Sequence, residues 1–128
     1  MGDFRRAMRE FFAFSDAGAQ AQEITSQQHQ ALLAIRSHDG EDPISIGELA
    51  ASLMIKNHSA VGLIARLVER GLVSRRPSPD DRRRVLLTLE PEGVRILDAI
   101  CERNLTQLQQ TRSILVGLVE TLDRLGRP

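Results

Sequence analysis

The 128-residue chain carries 17 basic and 17 acidic side chains and no net charge, with 41% hydrophobic and 27% charged residues. That balance is ordinary for a folded globular chain large enough for one hydrophobic core, expected here as a single domain over residues 1–128. No segment approaches a run of about 20 apolar residues, the charged start from Met1 to Glu10 lacks a signal-like apolar centre, and the single cysteine excludes a disulfide framework; the expectation is a cytoplasmic protein with no membrane partner.

From Phe4 to about Gln20 the period is helical, with Phe4, Met8, Phe11, Phe12 and Ser15 recurring along one side and all four phenylalanines between residues 4 and 14. Such a helix either packs on its own core or lies partly against a second subunit. Thr25 or Ser26 caps the next helix, which carries Ala31, Leu32 and Ile35 toward the core and ends near Ser37. His38 to Pro43 is a turn by composition. Pro43-Ile44-Ser45 is a candidate short third strand beside the hairpin that follows.

Ser45-Ile46-Gly47-Glu48 has the Ser-x-x-Glu form of a reciprocal helix cap, so a helix is predicted over Ile46 to Leu53 with Ile46, Leu49, Ala50 and Leu53 on one face. Met54, Ile55 and Lys56 make the turn, and Asn57 is the expected cap of the next helix. Ala60, Leu63, Ile64, Leu67 and Val68 form its buried stripe, which leaves Asn57, His58, Ser59, Val61, Gly62 and Arg66 facing away. Gly71 ends that helix. Leu72 to Arg76 reads as a strand, Pro77 to Asp81 as a turn and Arg84 to Leu89 as the returning strand.

Pro91 suits the first turn of a closing helix running through Val94, Leu97, Ile100, Cys101, Leu105 and Leu108. The polar run Gln109 to Ser113 is expected to separate it from a second helix carrying Ile114, Leu115, Leu118, Val119, Leu122 and Leu125. The spacing 115, 118, 122, 125 is heptad-like, and an apolar seam of this kind needs a partner. Terminal helices at both ends therefore point to a homodimer, with Phe4, Met8, Phe11, Leu115, Leu118 and Leu122 as the expected contact residues.

These elements define a mainly α fold with a small β-wing. It is a winged helix-turn-helix, with the DNA-binding region over 25–90 and dimerisation helices over 4–20 and 91–126. From Arg66 to Arg84 there are seven arginines against three acids, while Asp39, Glu41, Asp42 and Glu48 carry the opposite sign upstream. Arginine at a hairpin tip can enter a minor groove, and a small polar helix start can lie in a major groove with Asn, His and Ser reaching base edges. The candidate recognition residues are Asn57, His58, Ser59, Val61, Gly62 and Arg66; those of the wing are Arg75, Asp81, Arg82, Arg83 and Arg84. The alternatives for the same residues are a solvated helix start and solubilising charge.

The run Asp81-Arg82-Arg83-Arg84-Val85-Leu86-Leu87-Thr88-Leu89-Glu90-Pro91-Glu92-Gly93 resembles the wing signature of the MarR family of bacterial transcription regulators, Asp-x-Arg followed by a strand ending Leu-Thr-x-x-Gly. Glu90 departs from it, standing where the family usually has threonine. Leu67 to Val73 is also similar to the family's passage from recognition helix to wing. The resemblance implies that Arg83 enters a minor groove with Asp81 orienting it; Arg82 and Arg84, which flank it, are expected to touch phosphate rather than bases. It further implies a homodimer on a palindromic double-stranded operator, acting as a repressor and released by a small-molecule effector. Any effector pocket is expected where the 25–37 helix, the first helix and the start of the closing helix meet. The alternative is a winged-helix protein-interaction module, which has no need of Asp81-x-Arg83.

Beside Ile100, Cys101 reads as a buried inert thiol rather than a redox sensor. His29, His38 and His58 show no metal-ligand spacing, no cofactor is expected, and no enzyme motif is present.

Overall fold

The structure is a computed structural model describing residues 2–127; Met1 and Pro128, the end points of the expected 1–128 span, lie outside them. In chain order the elements are α1 (Gly2–Ala21), α2 (Ser26–Ser37), α3 (Ile46–Leu53), α4 (Asn57–Glu69), β1 (Val73–Pro77), β2 (Val85–Leu89), α5 (Pro91–Gln110) and α6 (Arg112–Leu125). Six helices and one two-stranded antiparallel hairpin make the mainly helical, winged helix-turn-helix class that the sequence predicts.

Local chemistry sets most boundaries. At α2 the Thr25 N–H donates to Gln28 Oε1 at 2.9 Å while the Gln28 N–H donates to Thr25 Oγ1 at 3.0 Å. Ser45 and Glu48 repeat this exchange at α3, at 3.2 and 3.1 Å, so each helix start satisfies two otherwise orphaned amides. Gly71 takes φ +73° behind α4, the left-handed turn that glycine enters at little steric cost. At Gly93 a methyl group would lie 2.3 Å from the Leu72 carbonyl oxygen, so α5 can start against the hairpin only on a residue without Cβ. The break expected in the polar run falls at Thr111.

Four details differ from the sequence expectation. The cap of α4 is Lys56, without a side-chain cap bond, and Asn57 is the first helical residue. The reason lies in the ladder, which starts one residue early with the Ala60 N–H donating to the Lys56 carbonyl at 3.1 Å. Cys101 is exposed, because the buried face of α5 follows Gly93, Ile96, Leu97 and Ile100, and Cys101 is turned about 100° from Ile100. The third strand reduces to one bridge, Ser45 to Leu86, supported by the Leu87 N–H donating to the Ile44 carbonyl at 2.9 Å. Both strands begin one residue later than expected.

One core cluster holds the middle of the chain together. Leu32 of α2, Leu49 of α3, Ile64 and Leu67 of α4, Leu72, Leu87 of β2, and Ile96, Leu97 and Ile100 of α5 are all fully buried in it. Each such side chain stabilises the fold by about 1.5–3 kcal/mol when removed from water. His29 of α2 is buried too, and burial pushes its imidazole pKa down, opposed by the charge of Asp16 on α1.

The ends of the chain are built differently. Past Ile100, α5 meets α1 through polar groups. Arg103 donates to the Phe14 carbonyl at 2.7 Å and sits 3.8 Å over the Phe14 ring, and Asn104 donates to Ser15 Oγ at 3.0 Å. Phe4, Met8, Phe11 and Leu115 share a cavity of about 70 Å³ with Phe12 and Leu108. Leu118 lines an adjoining groove with Phe4 and Ile114. No residue of α6 is buried, and Leu122 is 58% exposed. No helix among the described residues is long and apolar enough to cross a membrane.

Candidate nucleic-acid interface

The α4 helix divides cleanly into two faces. Ala60, Leu63, Ile64 and Leu67 are buried, whereas Asn57, His58, Ser59, Val61 and Arg66 are exposed and Gly62 is half-buried. A methyl group on Gly62 would meet nothing within 4 Å, so this position leaves the helix flat and open. With no side chain capping α4, the amides of its first turn stay available to solvent or to an anion at the positive end of the helix dipole.

The hairpin pairs Val73 with Leu89, Ser74 with Thr88, Arg75 with Leu87, Arg76 with Leu86 and Pro77 with Val85. Ser74 and Thr88 join their hydroxyls at 2.6 Å, an opposed hydroxyl pair that stiffens the ribbon. The tip is closed by backbone bonds, Ser78 N–H to the Arg84 carbonyl at 2.8 Å and Arg84 N–H to the Asp81 carbonyl at 2.9 Å. Inside it, Asp81 Oδ1 accepts from the Arg83 N–H at 3.0 Å and from Arg83 Nε at 3.3 Å. The aspartate thus fixes both ends of one residue while the Arg83 side chain remains 92% exposed. Arg75, Arg76 and Arg82 are exposed; among the described residues none of the three makes an ion pair.

Recognition helix and wing meet at the start of α3. A methyl group on Gly47 would lie 4.0 Å from Asn57 Oδ1, and the next residue, Glu48, accepts from Arg84 Nη2 at 2.7 Å. The other Glu48 oxygen lies 3.6 Å from His38 Nε2 at the end of α2. Hydrogen bonds from Ser45, with Arg84 and His38 beside it, hold the Glu48 carboxyl below the usual carboxylate range. The structure therefore brings both candidate groups to the start of α3, Asn57 beside Gly47 and Arg84 on Glu48.

Three residues of this arrangement were not singled out by sequence reasoning as site residues. Glu48 was legible only as a helix cap, since its contact with Arg84 spans 36 positions. Gly93 stands in the wing signature, but its close approach to Leu72 leaves no local pattern. Arg70, the α4 end residue, donates to the Glu23 carbonyl between α1 and α2, a bond that no periodicity foretells. Cavities open where the end of α2 meets the 38–44 loop and β2, at about 290 Å³, and beside α1 and α6, at about 420 Å³. Of the three elements at the expected effector junction, α2 and α5 are joined by the exposed Arg36–Asp98 ion pair at 2.7 Å. No group of three His, Cys, Asp or Glu among the described residues is placed to hold a metal ion.

A helix-turn-helix with an exposed second helix, followed by a hairpin whose tip presents a braced arginine, defines the winged-helix class of DNA-binding proteins. The chain belongs within that class to the MarR family of transcription regulators, whose members are DNA-binding regulators rather than enzymes; the family model matches residues 22–84. It is 30% identical over 105 residues to the multiple antibiotic resistance protein MarR of Salmonella typhimurium, covering 80% of this chain and 71% of that one. With the transcriptional repressor NicR of Pseudomonas putida it shares 33% identity over 106 residues, 81% of this chain but 65% of NicR's length. MepR, a transcription regulator of the Staphylococcus aureus multidrug efflux pump MepA, has the same fold at a TM-score of 0.81 and 18% identity, with 95% of each chain covered. The structure of MepR with DNA also matches, at 0.70 and 21% identity over 98% of this chain and 99% of that one. BpsR of Bordetella bronchiseptica, described with 6-hydroxynicotinic acid regulating its DNA binding, matches at 0.65 and 25% identity over 94% of this chain and 95% of that one.

Proposed function

We propose that the protein is a repressor that binds a palindromic operator as a homodimer and is released by a small ligand. Asn57, His58, Ser59, Val61, Gly62 and Arg66 face the major groove in this scheme. Arg83, braced by Asp81, enters the minor groove, with Arg75, Arg82 and Arg84 near phosphate. The observation that carries the scheme is the tip geometry: a 92% exposed arginine side chain held by an aspartate at its own amide and guanidinium. A surface that only solubilises the chain has no use for that brace.

Dimerisation is inferred from the apolar seam of α1 and α6, where Phe4, Met8, Phe11 and Leu115 line one cavity, Leu118 lines an adjoining groove, and Leu122 stands 58% exposed on α6, which buries no residue. Two-fold symmetry then presents two heads to successive major grooves about one helical turn apart. A ligand that alters the spacing of the heads loses the binding of one of them, which is enough for release. The repressor sense and ligand control draw support from NicR and BpsR, as those proteins are described.

Selection from randomised duplex DNA, followed by titration of the winner across salt concentrations, tests the scheme. A palindromic consensus with a steep salt dependence is expected. No enrichment over random sequence would remove sequence-specific binding, and a reporter that loses expression without the protein would reverse the regulatory sign.

A further inference from the structure

We infer that Glu48 is the residue that sets the wing's position relative to the recognition helix, acting as a strap on Arg84 rather than only as the cap of α3. The inference rests on the DNA-binding scheme above for its consequence, but on geometry for the strap itself. Glu48 Oε1 accepts two donors at once, the Ser45 N–H at 3.2 Å and Arg84 Nη2 at 2.7 Å. One oxygen therefore joins the start of the helix-turn-helix to the wing. Its second oxygen faces His38 at 3.6 Å, so the end of α2 is drawn to the same point.

The strand pairing ends at Pro77–Val85, where Val85 packs against the core and Ser78 is buried. The backbone ties from the head to β2 are the Ser45–Leu86 bridge and the Leu87 to Ile44 bond, one and two residues further from the tip. Arg84 lies beyond them, its backbone already closing the tip through Ser78 and Asp81. Fixing the Arg84 side chain thus fixes the loop that carries Arg83. Asn57 Oδ1 lies within 4.0 Å of where a methyl group on Gly47 would stand, and Gly47 is the neighbour of Glu48, so the strap is anchored beside the start of α4. A hairpin left to swing there would present Arg83 at variable distance from the recognition helix, and simultaneous contact with two adjacent grooves would cost ordering entropy on binding.

The sign of the effect separates this role from plain electrostatics. Removing an anion from a DNA-facing surface ordinarily strengthens binding by reducing repulsion of phosphate; loss of the strap weakens it. Glu48→Gln is the informative variant, because glutamine keeps the acceptor that the Ser45 cap requires while the loss of charge weakens the hold on Arg84.

The test is operator affinity of wild type, Glu48→Gln, Arg84→Gln and the double variant, with hydroxyl-radical footprints and amide hydrogen exchange on the DNA-free protein. Glu48→Gln should weaken binding by about tenfold in the wild-type background and leave it unchanged or slightly tighter in the Arg84→Gln background, where only the loss of the anion is felt. Protection of the minor groove under the wing should fade while protection under α4 persists, and the amides of Arg84 and Leu87 should exchange faster. Tighter binding by Glu48→Gln in the wild-type background, or equal losses in both backgrounds, would overturn the inference. Should the wild type bind no sequence specifically, the DNA-binding scheme fails on its own; unchanged exchange at Arg84 and Leu87 in Glu48→Gln would then overturn the strap independently.

Discussion

The head formed by α2, α3, α4, the hairpin and the start of α5 satisfies itself, whereas α1, the second half of α5 and α6 do not. In the head, the apolar stripes read from the sequence close onto one another, and Leu32, Leu49, Ile64, Leu67 and Leu87 are fully buried. In the arms the same kind of stripe remains open: Phe12 is 54% exposed, and α6 buries no residue. The polar contacts between the arms, Arg103 to Phe14 and Asn104 to Ser15, fix geometry but remove little apolar surface from water. Amphipathic periodicity alone thus says that a face will be covered, and not what covers it.

Substitutions at matched leucines should separate the two regions most strongly. Leu67→Ala should destabilise the protein by about 2–5 kcal/mol, with a melting shift that is the same at every protein concentration. Leu122→Ala should leave the head's stability nearly unchanged and instead raise the dimer dissociation constant roughly tenfold, read by sedimentation and by a melting temperature that becomes more concentration-dependent. Equal melting losses for both, indifferent to dilution, would erase the contrast.

Within the head, function and stability should come apart at the wing. Arg83→Ala is expected to weaken operator binding by about 1–3 kcal/mol with an unchanged melting curve, since its side chain is 92% exposed and bonded to Asp81, two residues away. A titration indistinguishable from wild type would remove Arg83 from the interface.

The seam between head and arms carries a titrating group. Burial holds the His29 imidazole below its ordinary value, so its folded pKa lies below its unfolded one. Above about pH 6.5 both states are neutral and the contribution to stability is fully present. As pH falls below that, the unfolded chain takes up a proton that the folded chain refuses, and stability declines until the folded imidazole also titrates. Melting temperature should therefore fall between pH 7.5 and about pH 5.5, and His29→Gln should flatten that slope; an identical slope in the variant would place the linkage elsewhere. Glu48, whose pKa is also lowered, loses its contribution only in the acid range below the ordinary carboxylate value.

The smallest expected effect lies at the start of α4. Because Lys56 and not Asn57 holds the cap position, Asn57→Ala should change stability by no more than about 0.5 kcal/mol while altering the sequence recovered by selection. A melting loss near the size of a lost cap, about 1 kcal/mol, would return Asn57 to the capping role that its side chain invites.

Much of this molecule was written in short-range chemistry. The capping pairs Thr25–Gln28 and Ser45–Glu48, the left-handed Gly71, Pro91 at the head of α5 and the polar run before Thr111 each act over a few residues. The sequence therefore determined where five of the six helices start or stop, and it determined the Asp81–Arg83 brace, whose partners are two positions apart. What only the tertiary structure decided depends on contacts across many positions. The face of α5 that packs inward, and with it the exposure of Cys101, follows from where the core lies, with Ile96, Leu97 and Ile100 inside it. The third strand shrank to one bridge because the chain meets β2 through Ile44 and Ser45, too short a stretch for a ladder. Glu48 became more than a cap because folding carried Arg84, 36 residues away, to the same oxygen. Periodicity and capping are properties of one segment, and such contacts are properties of two, so they appear only when the core has set the segments against each other.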